Sequence, residues 1–240
     1  MKKRVIAVIP AYNESGKISR VVQKVKAQKK WVDAILVVDD CSTDDTGREA
    51  RRAGALVIRH TKNKGVGAGI RTGLRYGYRK GFEVGVILSG DDQHVPAELP
   101  AVVGPVLANH CDLVQGSRYM RGGSTVNQNL FRKLTTLFYR VLFFLITGVP
   151  CSDITNGFRA IRLKNIFSDP AIDLDQEWLD RYELEVYLLY KVYTSRSFRK
   201  REVPITIVYH PGKGSTKMIP LLDWWRMLRP LIYLKLRIKK

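Results

Sequence analysis

The first half of the chain alternates short β-branched runs with longer amphipathic segments. The run Val5 to Ile9 precedes a stretch of helical periodicity from about Lys17 to Gln28, and the run Ala34 to Val38 follows it. Apolar positions three or four residues apart indicate helices, whereas short β-branched runs indicate buried strands. The alternation therefore predicts an α/β fold with a mostly parallel sheet flanked by helices. The pattern continues with a helix after Thr43, a strand Leu56 to Arg59, a helix from about Gly67 to Arg79, a strand Val84 to Leu88, a helix opened by Pro96 and a strand Asp112 to Gln115.

The second half of the chain is patterned differently from the first. We expect one α/β unit up to about Ser117, followed by a more helical part. Because no low-complexity linker or internal repeat interrupts the chain, residues 1–217 are predicted to form one domain. The later elements are a helix Leu130 to Thr147, a loop around Ser152 to Gly157, a helix near Trp178 to Tyr193 and a strand Val203 to Val208.

The C-terminal residues 218–240 are predicted to form a basic amphipathic helix. Trp224 and Trp225 stand near one end, and lysines and arginines are spaced among leucines, a pattern typical of a membrane-surface element. The most apolar stretch elsewhere, Leu137 to Val149, contains Arg140 and falls short of the roughly 20 residues that span a bilayer. We therefore expect peripheral association with a membrane, without a spanning helix.

The net charge of the chain favours anionic partners. The 240 residues include 41 Lys and Arg against 22 Asp and Glu, which gives a formal charge of +19. Nucleotide-linked substrates, an acidic lipid surface and nucleic acid all fit this charge. Nucleic-acid binding rests on charge alone and lacks aromatic RNA-binding signatures, so no nucleic-acid partner is expected. Three widely spaced cysteines without a C-x-x-C pair indicate a reducing compartment.

Polar residues are concentrated directly after three predicted strands. These loops are residues 10–14, 39–44 and 89–94. In an open parallel sheet the ligand lies beyond the carboxyl ends of the strands, so the three loops are predicted to meet at one site. Aspartates there can accept hydrogens from a base or ribose and can bind a hard divalent cation. Asp40 and Asp44 have an alternative role as caps of the next helix.

Two glycine-containing segments fail to match phosphate-binding fingerprints. Residues 63–69 approach G-x-G-x-x-G, but Ile70 stands where the last glycine is required, so a Rossmann oxidoreductase is not supported. Residues 212–216 lack the order of a P-loop and are interpreted as a basic loop that can close over phosphate. Metalloprotease histidine spacing and a G-x-S-x-G elbow are both absent, which disfavours a hydrolase.

The ordered set of motifs resembles family 2 glycosyltransferases of the GT-A fold, and within them the dolichol- or polyprenol-phosphate mannose synthase-like branch. Each piece alone is unspecific, whereas the order over roughly residues 4–217 is specific. The matching pieces are Val8-Ile9-Pro10-Ala11-Tyr12-Asn13-Glu14, Val37-Val38-Asp39-Asp40-Cys41-Ser42-Thr43-Asp44, Asn63-Lys64-Gly65, Gln93-His94-x-Pro96-x-Glu98, Gly116-Ser117-Arg118 and Asp153-x-x-Asn156-Gly157-Phe158-Arg159.

The resemblance implies a nucleotide-sugar donor and a divalent metal, Mg²⁺ or Mn²⁺. It places the metal at Asp91, Gln93 and Ser89, with Asp92 as a neighbouring carboxylate. Ser89 stands where such enzymes carry the first aspartate of D-x-D, and a neutral hydroxyl is a weaker ligand than a carboxylate. The implied nucleotide-sugar-binding residues are Pro10, Tyr12, Glu14, Asp39, Asp40, Lys64, Gly65, Gly90, Lys213 and Lys217.

The resemblance also implies a polyprenyl phosphate acceptor held by Arg118, Arg132 and Thr136. A lipid phosphate is already an anion and attacks without a general base, so such a site needs cations. The implied catalytic residues are therefore Asp91, Arg118 and Arg132. A sugar hydroxyl as acceptor would need a base instead, for which the available carboxylates are Asp153, Glu183 and Glu185.

These features together predict an inverting glycosyltransferase that moves a hexose, with mannose favoured, from GDP-mannose or UDP-glucose to a polyprenyl (dolichyl) phosphate. The expected location is peripheral, at the cytoplasmic face of a membrane. Two alternatives stay open: transfer to a polysaccharide or glycolipid hydroxyl, and a nucleotide-sugar-binding homologue whose catalysis is weakened by Ser89.

Overall fold

Nine strands and eight helices alternate along the part of the chain that this computed structural model describes, which is residues 5–210, 219 and 221–239. The strands are β1 (Val5–Ala11), β2 (Ala34–Asp39), β3 (Leu56–Arg59), β4 (Val84–Ile87), β5 (Leu113–Ser117), β6 (Ser124–Val126), β7 (Arg159–Arg162), β8 (Lys200–Pro204) and β9 (Thr206–Val208). The helices are α1 (Ile18–Lys26), α2 (Thr46–Arg52), α3 (Val66–Arg79), α4 (Leu99–Leu107), α5 (Leu130–Thr147), α6 (Leu163–Ser168), α7 (Glu183–Thr194) and α8 (Leu222–Lys235).

Seven strands form the central sheet in the order β3-β2-β1-β4-β7-β5-β8. All neighbouring pairs are parallel except those of β7, which is antiparallel to both β4 and β5. The expected mostly parallel α/β sheet is therefore confirmed. β6 and β9 pair in parallel as a separate small sheet.

Two expectations about the strands were wrong. The predicted strand Val203 to Val208 is two strands, because β8 ends at Pro204 and β9 pairs in the other sheet. The predicted α/β unit up to Ser117 is not self-contained, because β5 pairs only with the later strands β7 and β8. The sheet is continuous only when the second half of the chain is in place.

Side-chain alternation along β1 divides the core into two layers. Ile6 and Val8 belong to one buried cluster, which includes residues of α3, α7 and α8. Val5, Ala7 and Ile9 belong to the other, which includes residues of α1 and α4. Successive side chains of a strand point to opposite faces, so a continuous apolar run is what a sheet covered on both faces requires.

The C-terminal helix α8 packs against α5 and α7. Its residues Met227, Leu231 and Leu234 are buried in the first cluster. Arg229 pairs with the buried carboxylate of Glu183, and the hydroxyl of Tyr139 donates to the Trp224 carbonyl at 2.8 Å. Within the described residues, the helices are all too short or too polar to cross a bilayer.

Candidate active site

A cleft of about 600 Å³ opens at the carboxyl ends of β1, β2 and β4. Asp39 and Lys64 do not line it, and Lys213 and Lys217 lie outside the described residues. The remaining residues expected from the sequence meet in this one cleft, namely Pro10, Tyr12, Glu14, Asp40, Gly65, Ser89, Gly90, Asp91, Gln93, Arg118, Arg132 and Thr136.

Asp40 fixes the turn that leads into α3. Its carboxylate accepts from the backbone N–H groups of Lys64 at 2.9 Å and Gly65 at 2.7 Å, and from His60 Nδ1 at 2.7 Å. Burial opposes ionisation, but these hydrogen bonds outweigh it and lower the pKa of Asp40. A carboxylate only accepts, so His60 carries its proton on Nδ1, and Nε2 faces the Thr72 hydroxyl at 3.0 Å. Sequence reasoning missed His60, although it directly follows β3, a strand end of the kind that supplied the other candidates.

Asp39 supports the same loop from outside the cleft. Its buried carboxylate accepts from the Ser42 backbone N–H at 2.9 Å and from Arg59 at 3.2 Å. Because neighbouring side chains at a strand end point to opposite faces, Asp39 and Asp40 separate here. A nucleotide contact by Asp39 stays a prediction.

The glycines before and within α3 allow close packing of another chain segment. A Cβ at Gly67 would lie 2.1 Å from the Leu179 carbonyl oxygen, and Gly65 has φ +107°. The Asp180 carbonyl accepts from the Ala68 N–H at 2.9 Å. The amino end of α3 is thus covered by protein backbone, which explains the glycines without a bound dinucleotide.

The loop after β4 is held together by its own side chains. Ser89 donates its hydroxyl to Asp91 Oδ1 at 2.5 Å, and the Gln93 N–H donates to the same oxygen at 3.1 Å. The Ser89 N–H donates to Nδ1 of His94 at 2.9 Å. Burial, together with the charges of Arg118 and Arg159, lowers the pKa of His94 to about 3. His94 is therefore a neutral acceptor beneath the loop.

Asp92, in the loop after β4, does not line the cleft. It adopts φ +66° and forms ion pairs with Lys24 at 2.7 Å and Arg20 at 3.5 Å on α1. Its carbonyl oxygen faces His210 Nε2 at 2.9 Å. The carboxylate of Asp92, expected beside Asp91, therefore binds the cations of α1 instead. The left-handed backbone at Asp92 directs its side chain away from the cleft.

Arg118 is enclosed by acceptors. Its Nε donates to Asp153 Oδ2 at 2.7 Å, and its Nη2 donates to Asp153 Oδ1 and to Thr155, each at 2.6 Å. Its Nη1 donates to the Tyr209 hydroxyl. Burial alone would lower its pKa, but the Asp153 charge outweighs burial and raises it. Of five guanidinium N–H groups, one has no partner in the described part of the chain and can reach a ligand.

Arg132 differs from Arg118 in having no carboxylate partner among the described residues. It lies near the start of α5, and its guanidinium stacks on the Tyr209 ring at 4.5 Å from the centroid. Thr136, one turn later, donates its hydroxyl to the Arg132 carbonyl at 2.9 Å and faces the Thr155 hydroxyl at 3.5 Å. The two side chains line the cleft from the same face of α5.

The start of α7 and the turn before it add four residues to the cleft: Arg181, Tyr182, Glu185 and Val186. Among the carboxylates considered as bases, Asp153 is paired with Arg118, and Glu183 is paired with Arg229. Glu185 is the one of the three that lines the cleft, and burial raises its pKa although Arg159 opposes the shift. Sequence reasoning had no signal for Arg181 and Tyr182, because no strand precedes them.

The chain is similar in sequence to known glycosyltransferases. The profile of Glycosyl transferase family 2 matches residues 6–166. An undecaprenyl-phosphate mannosyltransferase from Micrococcus luteus is 33% identical, over 90% of this chain and 87% of that protein. A UDP-N-acetylglucosamine--dolichyl-phosphate N-acetylglucosaminyltransferase from Methanococcus voltae is 30% identical, over 94% of this chain and 95% of that protein.

Solved structures share the fold. Glucosyl-3-phosphoglycerate synthase from Mycobacterium tuberculosis, crystallised with Mn²⁺, UDP-glucose and phosphoglyceric acid, superposes with a TM-score of 0.69. The match covers 99% of this chain and 81% of that one at 20% sequence identity. The same enzyme has also been crystallised with Mg²⁺ and UDP, with a TM-score of 0.70 and 20% identity over 99% of this chain and 81% of that one. These likenesses establish the GT-A architecture.

Proposed function

This chain belongs to glycosyl transferase family 2 and is a glycosyltransferase, and from that premise we propose that it transfers a hexose from a nucleotide sugar to a polyprenyl phosphate at a membrane surface. The observation that carries the proposal is the exposed apolar face of α5. The same helix lines the cleft with Arg132 and Thr136 on its other side. A phosphate-binding cation and a lipid-facing surface therefore share one element.

The outer face of α5 is apolar along its whole length. The helix has 18 residues and is about 27 Å long. Side chains that recur at helical spacing stand in solvent, such as Phe138 with 57% and Leu145 with 72% of its surface exposed. An exposed apolar stripe of this size indicates contact with a membrane or a lipid chain. The stripe consists of Leu130, Leu134, Leu137, Phe138, Val141, Phe144 and Leu145, while the exposed Phe131 also lines the cleft.

Arg132 is the main ligand that we propose for the acceptor phosphate. No carboxylate of the described residues neutralises its charge, and its stacking on Tyr209 fixes its direction. Arg118 contributes its one remaining N–H and keeps the Asp153 loop in place, and Thr136 adds a hydroxyl. The lipid phosphate oxygen then attacks the anomeric carbon as an anion, so no group of the chain has to remove a proton. The bond from that carbon to the nucleoside diphosphate breaks in the same step, which inverts the configuration.

The donor occupies the strand-end loops in this proposal. Pro10, Tyr12 and Glu14 line the part of the cleft that we assign to the nucleoside, together with the Asp40 turn. Lys213 and Lys217 are proposed to contact the diphosphate by resemblance alone. Mannose is the favoured hexose, and N-acetylglucosamine is tested beside it because the two relatives named above transfer different sugars.

A divalent cation fits the cleft through Asp91. One oxygen of Asp91 receives the Ser89 hydroxyl and the Gln93 N–H, which leaves its second oxygen without a partner in the described part of the chain. Carboxylate oxygen suits Mg²⁺ and Mn²⁺, and the donor diphosphate supplies further oxygens. When bound, the ion neutralises charge on the leaving diphosphate. Ser89 and Gln93 hold Asp91 in place for that contact.

Transfer to a sugar hydroxyl is the second candidate, and one observation favours it. Glu185 lines the cleft with a raised pKa, which is a property of general bases. A polysaccharide acceptor would leave the apolar face of α5 without a role, and any hydroxyl acceptor would leave the cation Arg132 without an anion to bind, so we rank the lipid phosphate first.

The test is transfer of labelled sugar from GDP-mannose, UDP-glucose or UDP-N-acetylglucosamine to undecaprenyl or dolichyl phosphate with Mg²⁺ or Mn²⁺. We expect label in the organic phase from one donor. Arg132→Ala is expected to reduce that product at least about 10-fold while nucleotide binding persists. Lys133→Ala is the matched control, since Lys133 neighbours Arg132 on α5 without lining the cleft. Label found only on water-soluble sugar acceptors would replace the proposal with the second candidate.

A further inference from the structure

The wall of the cleft formed by the start of α7 has no role in the steps above. Glu185 lies against the loop of Gly157, where an added Cβ would come within 2.8 Å of its Oε1. Tyr182 lies beside it on the same wall. Burial raises the pKa of Tyr182, and the charges of Asp223, Glu185 and Asp91 add to the shift while Arg181 opposes it. Part of the negative charge that acts on Tyr182 thus comes from the carboxylate proposed to bind the metal.

Glu185 has acceptor capacity that the protein does not use. An ionised carboxylate has about four acceptor positions, yet no hydrogen bond reaches that of Glu185 from the described residues, and its ion pair with Arg159 is 3.4 Å long. Arg159 is fully buried and directs its nearer contacts to main-chain oxygens, at 3.0 Å to Glu185 and at 2.6 Å to Asn156. A carboxylate that is only 19% exposed needs donors, and the open side is the cleft.

The charge of this wall selects the kind of group that can lie against it. Glu185 and Asp223 repel a phosphate, and Asp223 is partly neutralised by Arg226 at 2.7 Å. Arg181 is a second cation that lines this part of the cleft. An uncharged group with several hydroxyl donors fits the wall best, because each hydroxyl can donate to a carboxylate and accept from the Tyr182 hydroxyl, which has no hydrogen-bond partner among the described residues.

We infer that Glu185, assisted by Tyr182, recognises the hydroxyl groups of the hexose carried by the donor. The inference rests on the proposed function, since it assigns the sugar part of the same cleft. Glu185 acts as a specificity residue that accepts hydrogen bonds from the sugar, while the diphosphate and nucleoside lie on the Asp91 and Asp40 side. Loss of its carboxylate weakens binding of the sugar and leaves binding of the nucleotide alone intact.

The test compares each nucleotide sugar with its own nucleoside diphosphate by calorimetry on the full chain. The probes are GDP-mannose with GDP, and UDP-glucose and UDP-N-acetylglucosamine with UDP. For the pair that the wild type binds, Glu185→Ala is expected to raise the Kd of the nucleotide sugar by about 10-fold or more, with the Kd of the diphosphate unchanged. Glu185→Gln, which keeps one acceptor oxygen and the shape, is expected to show a smaller rise and guards against a folding defect.

Asp180→Asn is the matched control, because Asp180 lies in the turn just before α7 and pairs with Arg71 away from the cleft. Its variant is expected to bind both probes like the wild type. If Glu185→Gln and Glu185→Ala bind the nucleotide sugar normally but turn over slowly, Glu185 is a base and the inference is overturned. If the wild type binds neither nucleotide nor nucleotide sugar, the proposed function fails together with the inference.

Discussion

Ser89 limits the number of oxygen ligands that the cleft offers to a divalent cation. Its hydroxyl is already donated to Asp91, so the loop contributes a single open carboxylate oxygen. Restoring a second carboxylate with Ser89→Asp is expected to tighten Mn²⁺ binding about tenfold in the presence of nucleoside diphosphate. Electron paramagnetic resonance of free Mn²⁺ measures the change. Asp91→Asn is the control and is expected to weaken binding; equal affinity in Ser89→Asp and wild type would show that residue 89 does not face the ion.

His94 links the stability of the same loop to pH. Its pKa is about 3 in the folded chain against 6.5 for a free histidine, so the unfolded chain takes up the proton first. Stability is therefore complete above about pH 6.5 and falls by about 1.4 kcal/mol per pH unit below it, until the pH nears 3.

His94→Asn removes the titration and keeps an acceptor for the Ser89 N–H. Between pH 7 and pH 5 the free energy of unfolding of the wild type is expected to fall by about 2 kcal/mol more than that of the variant. Urea unfolding at the two pH values measures the difference. Residue 94 is the one difference between the two proteins, so parallel losses would contradict a buried neutral His94.

At the residue scale, the strand-end part of the site followed from the sequence pattern, whereas Arg132 and Thr136 on α5 came only from the family resemblance. Asp40, Ser89 and Asp91 were predictable because carboxyl ends of parallel strands meet at one edge. Tyr182 and Glu185 reach the cleft only because the turn before α7 packs on the glycines of α3. That contact depends on close backbone approach across the fold, and residue type alone does not reveal it.

At the scale of elements, α5 carries an exposed apolar face that we expect to contact a membrane. Phe138→Glu and Leu134→Glu place a charge on its apolar face, and each is expected to reduce binding to vesicles of phosphatidylglycerol and phosphatidylcholine at least about tenfold. Co-sedimentation measures the bound fraction. Activity toward a short, water-soluble polyprenyl phosphate is expected to persist, because these side chains point away from the cleft.

Leu56→Glu is the control for that experiment. Leu56 lies on the edge strand β3 and is 48% exposed, against 57% for Phe138, so the change in charge and exposure is similar. Its vesicle binding is expected to match the wild type. An equal loss in Leu56→Glu would mean that net charge, not the α5 face, governs the association.

Sequence reasoning identified elements whose bounds are set by neighbouring residues and missed elements whose position is set by contacts with distant strands. The bounds of α5 agree with its periodicity because Asn129 caps the first turn, accepting from the Arg132 N–H at 2.8 Å, and Gly148 ends the helix at φ +72°. β7 was missed because two arginines flank only two apolar residues, and its place is set by pairing with distant strands.

At the scale of the whole molecule, the two halves of the chain complete one sheet. β5 has neighbours only in β7 and β8, and the outer edge of β4 is covered by β7. A fragment of residues 1–128 is therefore expected to lack a cooperative urea transition that the full chain shows, as monitored by circular dichroism. A sigmoidal transition in the fragment would show that the first half folds alone, as periodicity by itself had indicated.

The position of β7 in the sequence also determines how long β4 waits for its neighbour during translation. About 70 residues separate the end of β4 from the start of β7. At about 5–20 residues per second, a ribosome takes about 4–14 s to make them. During that interval one apolar strand edge has no neighbour, and such an edge pairs readily with other chains. We therefore expect slower translation of residues 88–158 to lower the soluble yield, even though the finished protein is the same.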